Sequence, residues 1–217
     1  MIDPFRLCVA MLPLAAYFLL LGGVNLRRHP TLLSGSLDLA LLCIAVLGLV
    51  VVGPLELFMP EAAMAHFRFL FWPMMLSLYG LTASLILLMS RPRLVVYNVT
   101  SQQLRPLLSE IATRLDPAAR WAGDSLYVPE LGIQLRLEEF LAMRNVSLMS
   151  NGENQSLAGW RRLAGELHSA LGQLSTSSNP RGASLVVCGC VLTIVCLYRS
   201  MEDIQALAQG MQEFLRL

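Results

Sequence analysis

Lysine is absent from the 217-residue chain, histidine occurs three times, and charged residues make up only 14% of the sequence. A soluble domain carries about 25% charge, so this shortage excludes an ordinary soluble protein. Sixteen basic residues, all arginine, stand against fifteen acidic ones, a net charge of +1. That balance provides no broad positive field, and no nucleic-acid partner is expected. The missing lysine reads as coding bias rather than chemistry.

Motifs that carry chemistry are equally scarce. The chain has no glycine-rich phosphate loop, no G-x-S-x-G elbow and no H-E-x-x-H pair. His29, His66 and His168 fall in separate regions with no ligand spacing. The five cysteines, Cys8, Cys43, Cys188, Cys190 and Cys196, all lie in apolar stretches, where small apolar packing is their default role. On a helix, residues two apart point about 200° away from each other, so Cys188 and Cys190 do not chelate jointly. Glu138 and Glu139 are adjacent on a strand pattern and therefore face opposite sides of a sheet. No catalytic, cofactor-binding or metal-binding residue is assigned, and no cofactor is expected.

What the chain does have is apolar sequence, 55% of it, gathered in four blocks. They run from about Leu7 to Val24, Leu37 to Phe58, Phe67 to Met89 and Ala183 to Tyr198. Crossing a bilayer takes about 20 apolar residues at about 1.5 Å each. The second and third blocks meet that length and the first nearly does. The fourth is shorter and rich in β-branched residues, but Arg181 and Arg199 bracket it, and it far exceeds an ordinary strand. The first block lacks a small-residue cleavage site and runs into Arg27 and Arg28, which favours a retained span over a signal peptide. The class is a membrane α-helical protein with four transmembrane helices, its first partner the lipid bilayer of a plasma or inner membrane.

Arginine placement sets the orientation. Arg27, Arg28, Arg91 and Arg93 crowd one side of the spans, and the positive-inside rule makes that side cytoplasmic. Both termini are then expected outside, with segment 91–181 in the cytoplasm. Within the spans, Ser77, Gly80, Ala83 and Ser84 place small residues on one side of the third helix at a packing spacing. Asp38 and Glu56 sit at opposite ends of the second span as intramembrane polar candidates, with His66 just before the third.

Segment 91–181 has soluble periodicity and carries ten arginines against eight carboxylates. Leu94–Val99 reads as a strand. Thr100 and Gln103 form a capping-box pair ahead of an apolar face built from Leu104, Leu107, Leu108, Ile111 and Leu115. Arg120–Val128 reads as one strand, Ile133–Glu138 as a clean alternating strand, and Asn145–Leu148 as another. A second amphipathic helix follows, with Trp160, Leu163, Leu167 and Leu171 on its apolar face. The order β-α-β-β-β-α predicts a small cytoplasmic α+β domain with both helices on one face of a mainly antiparallel sheet. Arg136, Arg144, Arg161 and Arg162 are the candidate surface for a partner or anionic lipid.

The expected division is 1–90 as a three-helix membrane region, 91–174 as the α+β domain, 175–182 as a flexible linker, 183–199 as the fourth span and 200–217 as an amphipathic helix. The function expected from this pattern is a non-enzymatic, membrane-anchored interaction or assembly module with a protein partner. Two alternatives stand beside it. One is a small transporter or channel subunit using Asp38, Glu56 and Asn25. The other is a membrane enzyme acting at the cytoplasmic face through Asp124, Glu138 or His168.

Overall fold

A computed structural model describes residues 3–55, 70–141, 143–152 and 155–215. Glu56 and His66 lie outside the described residues. The elements in chain order are α1 (Pro4–Leu26), β1 (Thr31–Ser34), α2 (Gly35–Val50), α3 (Phe71–Met89), β2 (Arg93–Tyr97), α4 (Ser101–Leu115) and β3 (Arg120–Ala122). They continue with β4 (Ser125–Val128), β5 (Ile133–Phe140), β6 (Asn145–Ser150), α5 (Leu157–Gln173), α6 (Pro180–Glu202) and α7 (Ile204–Leu215). Two compact units result, one from Met1–Leu20, Leu39–Met89 and Leu185–Leu217, the other from Leu21–Asp38 and Ser90–Ser184.

The first unit holds α3 and the greater part of α1, α2 and α6. Among the described residues, four helical stretches are long and apolar enough to cross a membrane: Pro4–Leu26, Gly35–Gly53, Trp72–Met89 and Pro180–Glu202. The β-branched fourth block is thus helical, because a run of that length satisfies its own backbone only as a helix. At the end of α2, Gly53 and Pro54 fall in a wider π turn, Val51–Leu55; proline lacks the N–H that the α ladder needs. Glycines set the helix contacts. A Cβ on Gly48 of α2 would lie 1.9 Å from the Val9 carbonyl oxygen of α1, and one on Gly189 of α6 would lie 3.0 Å from that of Ala15. Tyr79 of α3 donates its hydroxyl to the Cys43 carbonyl at 2.7 Å. The C-terminal helix α7 is capped by Asp203, whose Oδ1 accepts from Ala206 N–H at 2.8 Å. Gly210 sits against the Asp3 carboxylate near the start of α1.

The second unit is a two-layer α+β domain. Its six-stranded sheet runs β1-β2-β6-β5-β4-β3, and every neighbouring pair is antiparallel. The alternating residues Leu94, Val96, Leu126, Val128, Ile133, Leu135, Val146 and Leu148 point to one side and are buried. Leu104, Leu108 and Ile111 of α4 and Trp160, Leu163, Leu167 and Leu171 of α5 join them in one core. Each fully buried aliphatic side chain contributes about 1.5–3 kcal/mol, and this shared core puts both helices on the same face of the sheet.

The architecture departs from the pattern read off the sequence in three places. A sixth strand, β1, comes from the loop between the first two apolar blocks and pairs with β2, Leu32 opposite Val96. A four-residue apolar run just before a span looks like the beginning of that span, but β2 has an open edge to satisfy and Leu32 packs on the core. Segment 120–128 is a hairpin rather than one strand. Gly123, at φ +62°, takes the first turn position, and Ala122 pairs with Ser125. Helix α4 starts at Ser101, directly after Thr100 as the capping pair indicates, and accommodates Pro106 in its second turn. Its capping pair forms in part, Thr100 N–H donating to Gln103 Oε1 at 3.3 Å. Finally, residues 175–179 are pinned rather than free, as follows.

Candidate functional site

Three asparagines and a threonine build a buried polar junction inside the second unit. Asn25 and Asn179 are 0% and 1% exposed, Asn98 0% and Thr176 7%. Asn98 sits just after β2 with φ +60°, a left-handed conformation that asparagine tolerates better than most residues. From there its amide donates to the Arg27 carbonyl at 2.6 Å and to Thr176 Oγ1 at 3.1 Å. The amide oxygen of Asn98 is buried with no hydrogen-bond partner among the described residues. Thr176 N–H donates to the Arg28 carbonyl at 2.7 Å, and Asn179 N–H to the Asn25 carbonyl at 3.1 Å.

Asn179 also caps α6, accepting from Arg181 N–H at 3.2 Å, while its amide donates to the Met143 carbonyl at 2.9 Å. The end of α1, the start of α6 and the β5–β6 turn are therefore tied together by hydrogen bonds of buried side chains. Gly182 permits the approach: a Cβ there would meet Asn25 Cβ at 2.9 Å and the Gly22 carbonyl oxygen at 3.0 Å. A Ser/Thr/Asn run reads as a loop by composition. Here those side chains supply the partners that helix-end backbone groups lack.

A second tie lies at the start of α2. Asp38 accepts the Tyr97 hydroxyl at 2.5 Å and pairs with the Arg93 guanidinium at 3.1 Å. Its carboxylate thus faces β2 from the first turn of the helix, a position where negative charge is favoured.

Away from these ties, the sheet face opposite the helices is open along β3, β4 and β5. Arg120 lies 5.6 Å from the Tyr127 ring centroid, and Tyr127 is 39% exposed. Arg136 and Glu138 emerge on this side, opposite Met149 and Ser147 respectively. On the helix side, a cleft of about 240 Å³ is lined by Ser101, Arg105, Trp121, Asp124 and Glu139, among others. Ser101 donates to Glu139, and Arg105 stacks 4.8 Å from the Trp121 ring while pairing with Asp124 at 3.6 Å.

The residues singled out from sequence are distributed as follows. Ser77, Gly80 and Ser84 are exposed and Ala83 half-buried, and a Cβ on Gly80 would meet nothing within 4 Å. Arg136 emerges on the open sheet face. Arg161 and Arg162 are exposed on α5, whose core-facing side is Trp160, Leu163 and Leu167. Arg144 (φ +49°) turns to Ser177, donating to its carbonyl at 3.3 Å and to its hydroxyl at 3.2 Å. The four arginines are therefore divided among the open sheet face, the outside of the helix layer and the junction. Asp124 lines the cleft, Glu138 lies on the opposite sheet face and His168 is exposed on α5, so those three are not brought together. Among the described residues, no group of three or more His, Cys, Asp or Glu is placed to hold a metal ion.

Sequence reasoning did not anticipate Asn98, Thr176 and Asn179 as a unit. The available signals were a polar Asn25 closing an apolar block and a polar run opening another. No protein-family model matches the chain, and neither a curated protein nor a solved structure matches it.

Proposed function

We propose that the chain is a non-enzymatic, membrane-anchored interaction or assembly module. Four helices cross the bilayer, the α+β domain lies in the cytoplasm, and both termini lie outside. Support for the orientation comes from Arg27, Arg28 and Arg181, exposed beside helix ends that the second unit contains, and from Arg91, exposed just after α3.

The observation that carries the reading is the polar junction. A catalytic or solute-conducting centre needs polar groups held open toward a substrate. Here the buried asparagines and Asp38 are spent on pinning the domain to the end of α1 and the starts of α2 and α6. A domain whose buried polar groups are engaged in this way offers its outer surface rather than an open polar centre, which suits a module that binds a partner. The surface is the uncovered part of the sheet, where Arg120, Tyr127 and Arg136 combine the aromatic and arginine character common at protein interfaces. The occupant proposed is a protein.

The test is purification of the full tagged chain from its native membrane in mild detergent, beside a Tyr127→Asp, Arg136→Glu double variant. A stoichiometric protein that accompanies the native chain and is lost from the variant supports the module. A homogeneous partner-free particle overturns it and directs attention to solute flux and lipid turnover.

A further inference from the structure

The β5–β6 turn carries two of the most exposed large apolar side chains in the second unit. Leu141 is 73% exposed and Phe140 58%. They are not on a loose loop. Met143 N–H donates to the Phe140 carbonyl at 3.1 Å, closing the turn, and Asn145 pairs with Phe140 across it. Two further bonds tie the turn to the first residues of α6: the Arg181 guanidinium donates to the Leu141 carbonyl at 3.1 Å, and Asn179 donates to that of Met143. Arg144 at the turn's far end is fixed on Ser177. Two apolar side chains therefore project at the level where an apolar helix begins, flanked by two guanidinium groups.

From this juxtaposition we infer that the Phe140–Leu141 turn dips into the headgroup–acyl boundary of the cytoplasmic leaflet and acts as an interfacial anchor for the domain. The inference rests on the proposed reading that α6 crosses the membrane. Given that, Arg181 is held at headgroup depth, and a turn bonded to Arg181 within 3.1 Å shares that depth. Leu and Phe are suited to the boundary, burying their apolar surface about 5–10 Å into it. Arg144 and Arg181 are suited to the anionic surface just above. The occupant is the lipid bilayer itself.

The test places a small environment-sensitive fluorophore, by nonsense suppression, at position 141 of the full chain in phosphatidylcholine–phosphatidylglycerol vesicles. A second sample carries it at position 194, an exposed site midway along α6. Quenchers are iodide in the water and lipids labelled at shallow or deep positions. The anchor predicts that position 141 is shielded from iodide and quenched best by the shallow label, with position 194 quenched best by the deep one. Iodide quenching at 141, with deep lipid quenching retained at 194, overturns the anchor and leaves the spanning helix intact. Shielding of 141 from both iodide and lipid means that protein covers the turn, and also overturns the anchor. Absence of lipid quenching at both positions removes the spanning reading, and the anchor with it.

Discussion

Asn98 donates its side-chain amide to the backbone carbonyl of Arg27 at 2.6 Å, across a sequence separation of 71 residues. The bond joins the end of a strand to the chain leaving the first apolar helix. It is made from a left-handed backbone at Asn98, φ +60°, just after the end of β2.

Replacing Asn98 by leucine removes both of its hydrogen bonds, buries acceptors without donors and keeps a strained φ. Each unsatisfied buried polar group costs about 1–3 kcal/mol, so Asn98→Leu is expected to destabilise by about 3 kcal/mol or more. Asn98→Gly relieves the backbone strain and leaves space for water, and is expected to lose less. Thermal unfolding of the purified chain in one detergent ranks the two. Equal losses would show that the amide's hydrogen bonds, not the backbone conformation, carry the effect.

Helix α5 contains an internal comparison. A Cβ added at Gly159 would lie 2.2 Å from the Leu131 carbonyl oxygen, a backbone atom that does not yield, whereas one at Gly165 would meet nothing within 4 Å. Gly159→Ala should therefore lower the unfolding midpoint, and Gly165→Ala should raise it through helix propensity, by up to about 1 kcal/mol. A neutral Gly159→Ala would mean that α5 is not seated as closely on the β4–β5 turn as described.

How much of this was legible in the sequence follows from which forces act locally. The alternation of Ile133, Leu135 and Leu137 and the helical spacing of Leu104, Leu108 and Ile111 encode which faces are buried, and those elements appear where the pattern puts them. Strand β1 was illegible because its pairing with β2, from Thr31 opposite Tyr97 to Ser34 opposite Leu94, is set by a sheet edge distant in sequence, not by Thr31–Ser34 themselves. The β3–β4 hairpin was legible in principle, since Gly123-Asp124 is a turn signal inside an otherwise strand-like segment. The polar junction was hidden for another reason. A lone Asn says nothing about its partners, and Asn25, Asn98 and Asn179 become a site only once two helix ends and a strand end converge.

Asp38 offers a way to separate anchoring from transport. With its carboxylate engaged by Arg93 and Tyr97, its contribution should be to stability. The pair is partly exposed, with side chains 19% and 34% accessible, so their coupling is expected at about 1 kcal/mol or less. A double-mutant cycle over Asp38→Ala and Arg93→Ala, read by thermal unfolding, measures it. Solute and proton flux through vesicles carrying Asp38→Ala should equal that of the native chain. A loss of flux with unchanged stability would favour a conducting role.

The sheet also constrains topology more tightly than arginine counting does. Ser34 ends β1, which pairs along its length with β2, and Ser175 precedes Thr176, whose N–H is bonded to the Arg28 carbonyl. Strand pairing of this kind does not pass through a bilayer, so both serines must lie on one side, and both are exposed there. The native cysteines all fall in apolar helices, where a charged reagent does not react, so Ser34→Cys and Ser175→Cys can each be read against the native chain. A membrane-impermeant maleimide is expected to label neither in intact cells and both after permeabilisation. Labelling of both from outside would invert the orientation while leaving the fold intact. Labelling on opposite sides would break the β1–β2 pairing itself, because no arrangement of four spans could then bring Leu32 opposite Val96.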